Sequence, residues 1–191
     1  MSWPHKTRLS ISADNGALCI LQSEYQDKQW TVVDTVASKQ NIAQSEELAT
    51  LGKVLDTHSN ITGNFSLQLP SRLVQSQCHI FAHSNYKDAY EELKSSCNDP
   101  ENYQYKISRL SSCDPEHQHF LVQQVHKKSI EEWTEPFSTR QLTLQRIFHR
   151  VDSIQSLVSA GHIEVAESPS LVIEILDATV YFYGFINKEL F

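Results

Sequence analysis

Cys113-Asp114-Pro115-Glu116-His117-Gln118-His119 places a thiol, two carboxylates and two imidazoles within seven residues. Thiolate and imidazole are the ligands zinc prefers, so this is the densest candidate for metal chemistry in the chain. A zinc site draws its remaining ligands from a second cluster at a recognisable spacing, and no such cluster is evident. Pro115 among charged neighbours suits a plain exposed loop, and that is the expected reading. The other histidines stand singly, and no Gly-x-Ser-x-Gly elbow marks a nucleophile. Two further groups could do work. Asp14-Asn15-Gly16 offers an acid beside a glycine in a hairpin turn, although those residue types also favour turns for geometric reasons alone. Tyr86, Tyr90, Tyr103 and Tyr105, with Trp133, could supply aromatic anchors for a docked peptide or pack their own subdomain's core.

The elements that position these groups follow from periodicity. Leu9 and Ile11 alternate with polar residues over 8–12, and residues 17–22 answer across the Asp14-Asn15-Gly16 turn, so the chain opens with a hairpin. Residues 29–35 are β-branched and aromatic, which adds a third strand. Leu48, Leu51 and Leu55 fall at helical spacing within 46–58, with Ser45 as the expected N-cap. Asn64 to Leu69 alternates again until Pro70, and 77–82 reads as another short strand. A three-stranded meander, a helix and a returning strand make one half of a ribonuclease-H-like, actin-like layout.

Beyond it, residues 86–95 read as a helix with Tyr86, Ala89, Tyr90 and Leu93 on one side. Residues 103–110 and 120–125 read as strands that could pair antiparallel. A short helix begins at Ser129 and is expected to break or end at Pro136. A strand over 142–148 precedes a helix over 151–160 with Ile154, Leu157 and Val158 inward and Gly161 as its C-cap. The tail carries β-rich runs at 171–176, 179–185 and 189–191, a second meander that echoes the first.

Composition bounds the function. The chain has 191 residues, 40% hydrophobic and 20% charged, enough for a real core. Its net charge is −7, and the basic residues are scattered, with Arg140 to Arg150 the densest patch. Nucleic acid and anionic membranes are thereby disfavoured as main partners, since both need clustered Lys and Arg. No secretory leader and no apolar run of about 20 residues is present, which implies a cytosolic chain with no direct membrane insertion. Cys19 and Cys78, in strand-like stretches, are expected to be buried thiols, and the chain lacks a CxxC pair.

The hairpin Leu9 to Leu21, the Leu69-Pro70-Ser71-Arg72 end of the fourth strand, and Leu171-Val-Ile-Glu-Ile-Leu-Asp177 followed by 180–191 together resemble the PilM-like proteins. That group includes PilM, ComA, HofM and MshI and is related to the cytoplasmic part of GspL. The resemblance implies an α/β (α+β) actin-like chain whose second half is truncated. Its first subdomain would cover 1–82, an inserted α/β subdomain 83–126, a helix and strand returning to the first subdomain 127–170, and the start of a second subdomain 171–191. It implies a cytoplasmic interaction platform of pilus, competence or secretion machinery. Such a platform binds the cytoplasmic tail of a PilN-like inner-membrane protein and can self-associate.

An actin-like ATP and Mg²⁺ site would use both hairpin turns. Against the family pattern, Ser12 stands where the leading aspartate belongs and Cys19 where a basic residue belongs. Asp14, Asn15 and Gly16 remain in the first turn. In the second, Glu174 holds the acidic position, but Leu176 replaces a glycine and would crowd a phosphate. The expectation is a vestigial nucleotide site at Asp14, Asn15, Gly16 and Glu174, no catalysis, and partner binding through Tyr86, Tyr90, Tyr103 and Tyr105.

Overall fold

The computed structural model describes residues 7–14, 17–26, 28–37, 43–57, 64–82, 85–97, 99–111, 114, 116–176 and 179–191. They form two compact units, one built from 1–74 and 127–150, the other from 75–126 and 151–191.

The first unit is a mixed sheet with helices. Strands β1 (Thr7–Asp14), β2 (Ala17–Gln26) and β3 (Gln29–Ala37) form the expected antiparallel meander. After helix α1 (Gln44–Thr57), β4 (Asn64–Gln68) returns parallel to β1. Parallel β strands need such a crossover, because a tight turn can only reverse the chain. Leu9, Ile11 and Ala13 of β1 are buried, as are Leu18 and Ile20 of β2 and Phe65 and Leu67 of β4, so one face of these three central strands is apolar and buried. Helix α3 (Lys127–Ser138) lies beside α1 and sets Phe137 edge-on against Phe65 at 5.8 Å. Arg140, in the turn after α3, donates from Nε to Asp56 at 2.6 Å and from Nη2 at 3.0 Å.

The second unit holds two three-stranded sheets. In one, β5 (Val74–Phe81), β7 (Gln118–His126) and β6 (Tyr103–Leu110) lie in that order, beneath helix α2 (Tyr86–Ser96). Ala89 and Leu93 of α2 bury against Phe120 and Val122 of β7. In the other, β9 (Ser170–Leu176), β10 (Thr179–Ile186) and β11 (Glu189–Leu190) form the second meander. Ile154 and Val158 of α4 (Arg150–Ser159) pack on Tyr183 and Phe185 of β10.

Several expectations change. Residues 77–82, grouped by pattern with the first subdomain, belong to β5, whose neighbour is β7 rather than β4. The stretch 127–170, expected to return whole to the first subdomain, divides after Arg150, because α4 buries its apolar side on the second meander. Pro136 sits inside α3 (Lys127–Ser138) rather than ending it early. Pro136 lacks the N–H that a helix residue gives to the carbonyl four back, and the helix ends two residues later at Ser138. The next strand, β8 (Leu144–Phe148), pairs parallel with β4 and starts at 144 rather than 142, since Leu142 donates its N–H back to the Phe137 carbonyl and closes the helix end. Ser45 falls within α1, which begins at Gln44. Leu157 is 39% exposed, while Ile154 and Val158 are the inward residues. Gly161 ends α4 as expected, with φ of 77° and its N–H on the Val158 carbonyl. Cys78 is exposed and Cys19 half-buried.

Phe65→Ala would empty the centre of the first unit, with an expected loss of about 3–5 kcal/mol of stability in urea denaturation. The hydrogen bonds from Arg140 hold the Asp56 carboxyl below its ordinary value of 3.8. With the folded-state pKa lower than the unfolded one, the contribution is complete above the unfolded value and is lost as pH falls through the folded value. Asp56→Asn is therefore expected to lower the melting temperature near neutrality and to converge with the parent once the pH has fallen below the folded value.

Candidate functional site

Asp14 closes β1, and its side chain is only 9% exposed. The chain brings it three donors from two other segments. Pro70, with φ of −55°, turns the chain out of β4, and Ser71 then donates to Asp14 from its N–H at 3.2 Å and its hydroxyl at 2.8 Å. Arg150, the first residue of α4, donates from Nη1 at 2.6 Å. Its own side chain is 11% exposed. Arg72, next to Ser71, forms a two-point pair with Glu47 of α1, a carboxylate that is 1% exposed. The Leu69-Pro70-Ser71-Arg72 segment is thus a latch that ties β1 and α1 to the end of β4.

This arrangement bears directly on the expected phosphate turn. Both carboxylate oxygens of Asp14 accept hydrogen bonds, and its charge faces the Arg150 guanidinium. Asn15, Gly16 and Asp177 lie outside the described residues. Ser12 and Cys19 pair across β1 and β2. Glu174, in the other compact unit, accepts the Tyr183 hydroxyl at 3.1 Å.

The four tyrosines do not share one groove. Tyr86 and Tyr90 stack at 5.9 Å near the start of α2, where Tyr86 also meets Phe120 at 5.6 Å and takes the Arg109 guanidinium over its ring. Tyr103 and Tyr105 sit together at the start of β6, with His126 edge-on to Tyr103 at 5.1 Å. They line a hollow of about 240 Å³ with Leu93, Cys97, Asp99 and Gln124. Burial pushes both the Cys97 thiol and the Tyr105 phenol up. The separation has a simple cause: Tyr86 starts the helix, whereas Tyr103 and Tyr105 follow the loop after its C-terminal end. Trp133 is buried in the first unit and takes no part.

A larger cleft of about 780 Å³ opens on the face of β6 and β7 that carries Ser108, Leu110, His119 and Gln123, opposite Asp152 and Glu189. Of the candidate metal ligands in the 113–119 loop, Cys113 lies outside the described residues, as does Pro115. His117 and Asp114 pair with each other at 2.5 Å, and the Glu116 N–H and His117 hold the Asp114 carboxyl below its ordinary value. Among the described residues no three His, Cys, Asp or Glu side chains converge to hold a metal. Nor is any described helix long and apolar enough to cross a membrane.

Sequence reasoning missed the partners of Asp14. Leu69-Pro70-Ser71-Arg72 was visible as a strand end, and Arg150 as one member of a basic patch. Nothing in their spacing says that residues 57 and 136 positions from Asp14 meet it.

The mixed sheet with its meander, crossover helix and parallel strands defines an actin-like fold. In particular, the chain is similar to a chain of the PilM–PilN type IV pilus biogenesis complex, with a TM-score of 0.71 and 11% identity over 96% of its residues. It spans 59% of that chain. It is also similar to the cytoplasmic domain of EpsL, an inner-membrane component of the type II secretion system of Vibrio cholerae. There the TM-score is 0.60, with 9% identity, 96% of this chain and 70% of that one. A protein of actin-like ATPase fold from Bacteroides thetaiotaomicron matches with a TM-score of 0.53 and 9% identity, over 97% of this chain and 67% of its own. No family model and no curated protein matches the sequence.

Arg150→Met removes the guanidinium from a buried carboxylate, and a loss of about 3–5 kcal/mol is expected in urea denaturation. The double variant Asp14→Leu/Arg150→Met is expected to recover most of it. A double variant no more stable than the single one would mean that the ion pair does not set the cost.

Proposed function

We propose that this chain is a protein-interaction scaffold of a type IV pilus or type II secretion assembly. It works in the cytoplasm and holds the cytoplasmic tail of a PilN-like inner-membrane protein. The observation that carries the reading is the likeness to the PilM–PilN complex, which extends over 96% of the chain. The engagement of Asp14 by Arg150 and Ser71 supports a scaffold over a nucleotide-driven enzyme, because the acid of the first turn is already committed. Of the tyrosines, Tyr103 and Tyr105 are the better anchors for the tail. They flank a hollow large enough for one side chain, and aromatic residues around such hollows carry much of the energy of peptide binding.

Titration of the purified chain with a synthetic N-terminal peptide of a PilN-like protein, followed by fluorescence anisotropy, tests the reading. Saturable binding is expected, and Tyr103→Ala is expected to weaken it about tenfold, or about 1.4 kcal/mol. No binding at high micromolar peptide would overturn the assignment. Thermal shift with ATP and Mg²⁺ is expected to leave the transition unmoved. A nucleotide present at 100 times its Kd would stabilise the fold by about 2.7 kcal/mol, and a shift of that size would favour a nucleotide-binding protein instead.

A further inference from the structure

The hollow of about 240 Å³ at Tyr103 and Tyr105 combines two kinds of surface. Every residue that lines it lies between Gln77 and Gln124. Leu93 and Val122 give it a buried, apolar part, and both belong to the core that α2 and β7 share. The two tyrosine rings stand 6.4 Å apart, centre to centre, and line it as well. An apolar wall of this kind accepts the aliphatic stem of a long side chain, whose polar head then reaches the rim.

The electrostatics of the hollow have one sign. Asp99 lines it, and no lysine or arginine does. Both Asp99 oxygens accept the Asn102 amide at 3.0 Å, a neutral donor that leaves the carboxylate charge in place. Helix α2 ends at the same spot, with Ser96 and Cys97 in the lining, and the carbonyl end of a helix carries partial negative charge. Aromatic ring faces are negative too. Burial, followed by neighbouring negative groups that include Asp99, pushes the Tyr105 phenol up, as expected where further negative charge is resisted. A stem for an apolar wall and a cation for the rim together describe lysine and arginine. The same subdomain makes such a contact internally, where Arg109 lies over the Tyr86 ring at 5.6 Å. Tails on the cytoplasmic side of a membrane span carry an excess of these two residues, and this chain has a net charge of −7.

We infer that the hollow is a subsite for one lysine or arginine side chain, supplied by the bound tail. The stem lies on Leu93 and Val122, the cationic head meets the rings of Tyr103 and Tyr105, and Asp99 with the end of α2 balances its charge. The inference rests on the tail-binding reading for the source of the side chain, whereas the chemistry of the hollow is tested without it.

Nα-acetyl-lysine methylamide and Nα-acetyl-arginine methylamide are each titrated against the purified 191-residue chain and followed by amide NMR shifts. Saturable shifts centred on Asp99, Tyr103 and Tyr105 are expected with at least one of them, and none with the uncharged norleucine analogue. The labelled tail peptide is then compared by anisotropy with a form whose lysines are acetylated and whose arginines are replaced by citrulline. The neutral form is expected to bind about tenfold more weakly. Asp99 has φ of 56°, which asparagine also tolerates, so Asp99→Asn removes the charge and keeps the turn. It is expected to weaken the basic peptide about threefold, while Glu101→Gln, the same change of charge outside the hollow, leaves binding unchanged. Failure of both small probes to shift those residues overturns the inference. So does a neutral peptide that binds as tightly as the basic one, or an equal loss from Asp99→Asn and Glu101→Gln, and in either case the tail-binding reading still stands. Small probes that bind at the hollow while no tail peptide binds support the subsite and overturn the tail as its source.

Discussion

The carboxylate of Asp14 is buried at the end of β1, and a buried charge has to be compensated where it stands. Arg150 and Ser71 do so, and in doing so they fix two distant parts of the chain. The turn after β4 is held against the end of β1, so the parallel pair cannot slide. The start of α4 is held at the same point. Glu47 and Arg72 repeat the logic one residue further along, joining α1 to the same turn. Four charged side chains and one hydroxyl thus lock the order of elements in the first unit. The apolar face of the sheet supplies the bulk of the stabilisation but little directional preference.

The same lock explains why an actin-like fold here need not imply actin-like chemistry. The end of β1 is where an acid beside a glycine-bearing turn could meet a phosphate-bound metal. In this chain the acid is spent on an internal guanidinium. In the second hairpin the acid at the corresponding face, Glu174, accepts a tyrosine hydroxyl. Each group makes its contacts within its own unit.

The second meander shows the reverse situation. Its strands repeat the register of the first, and one of its faces is packed. The other has the composition of a core and the exposure of a surface. β-Branched and aromatic residues on both faces are the mark of a strand pair buried on both sides.

Most strands and helices were legible because each rests on a local period: Leu9 and Ile11 alternate, and Leu51 and Leu55 lie four apart on α1. Element type, the meander echo and the actin-like class follow from such short-range patterns and from turn residues. Other features depended on distant contacts. β5 joined β7, and the tyrosines made two ring pairs, Tyr86 with Tyr90 and Tyr103 with Tyr105. Above all, Asp14 has the same sequence context whether it holds a metal or an arginine. The sequence by itself determined that an acid stands at the end of β1. Only the tertiary structure, by placing Arg150 2.6 Å away, decided what that acid does, because a charge answers to its neighbours in space and not to its neighbours in the chain.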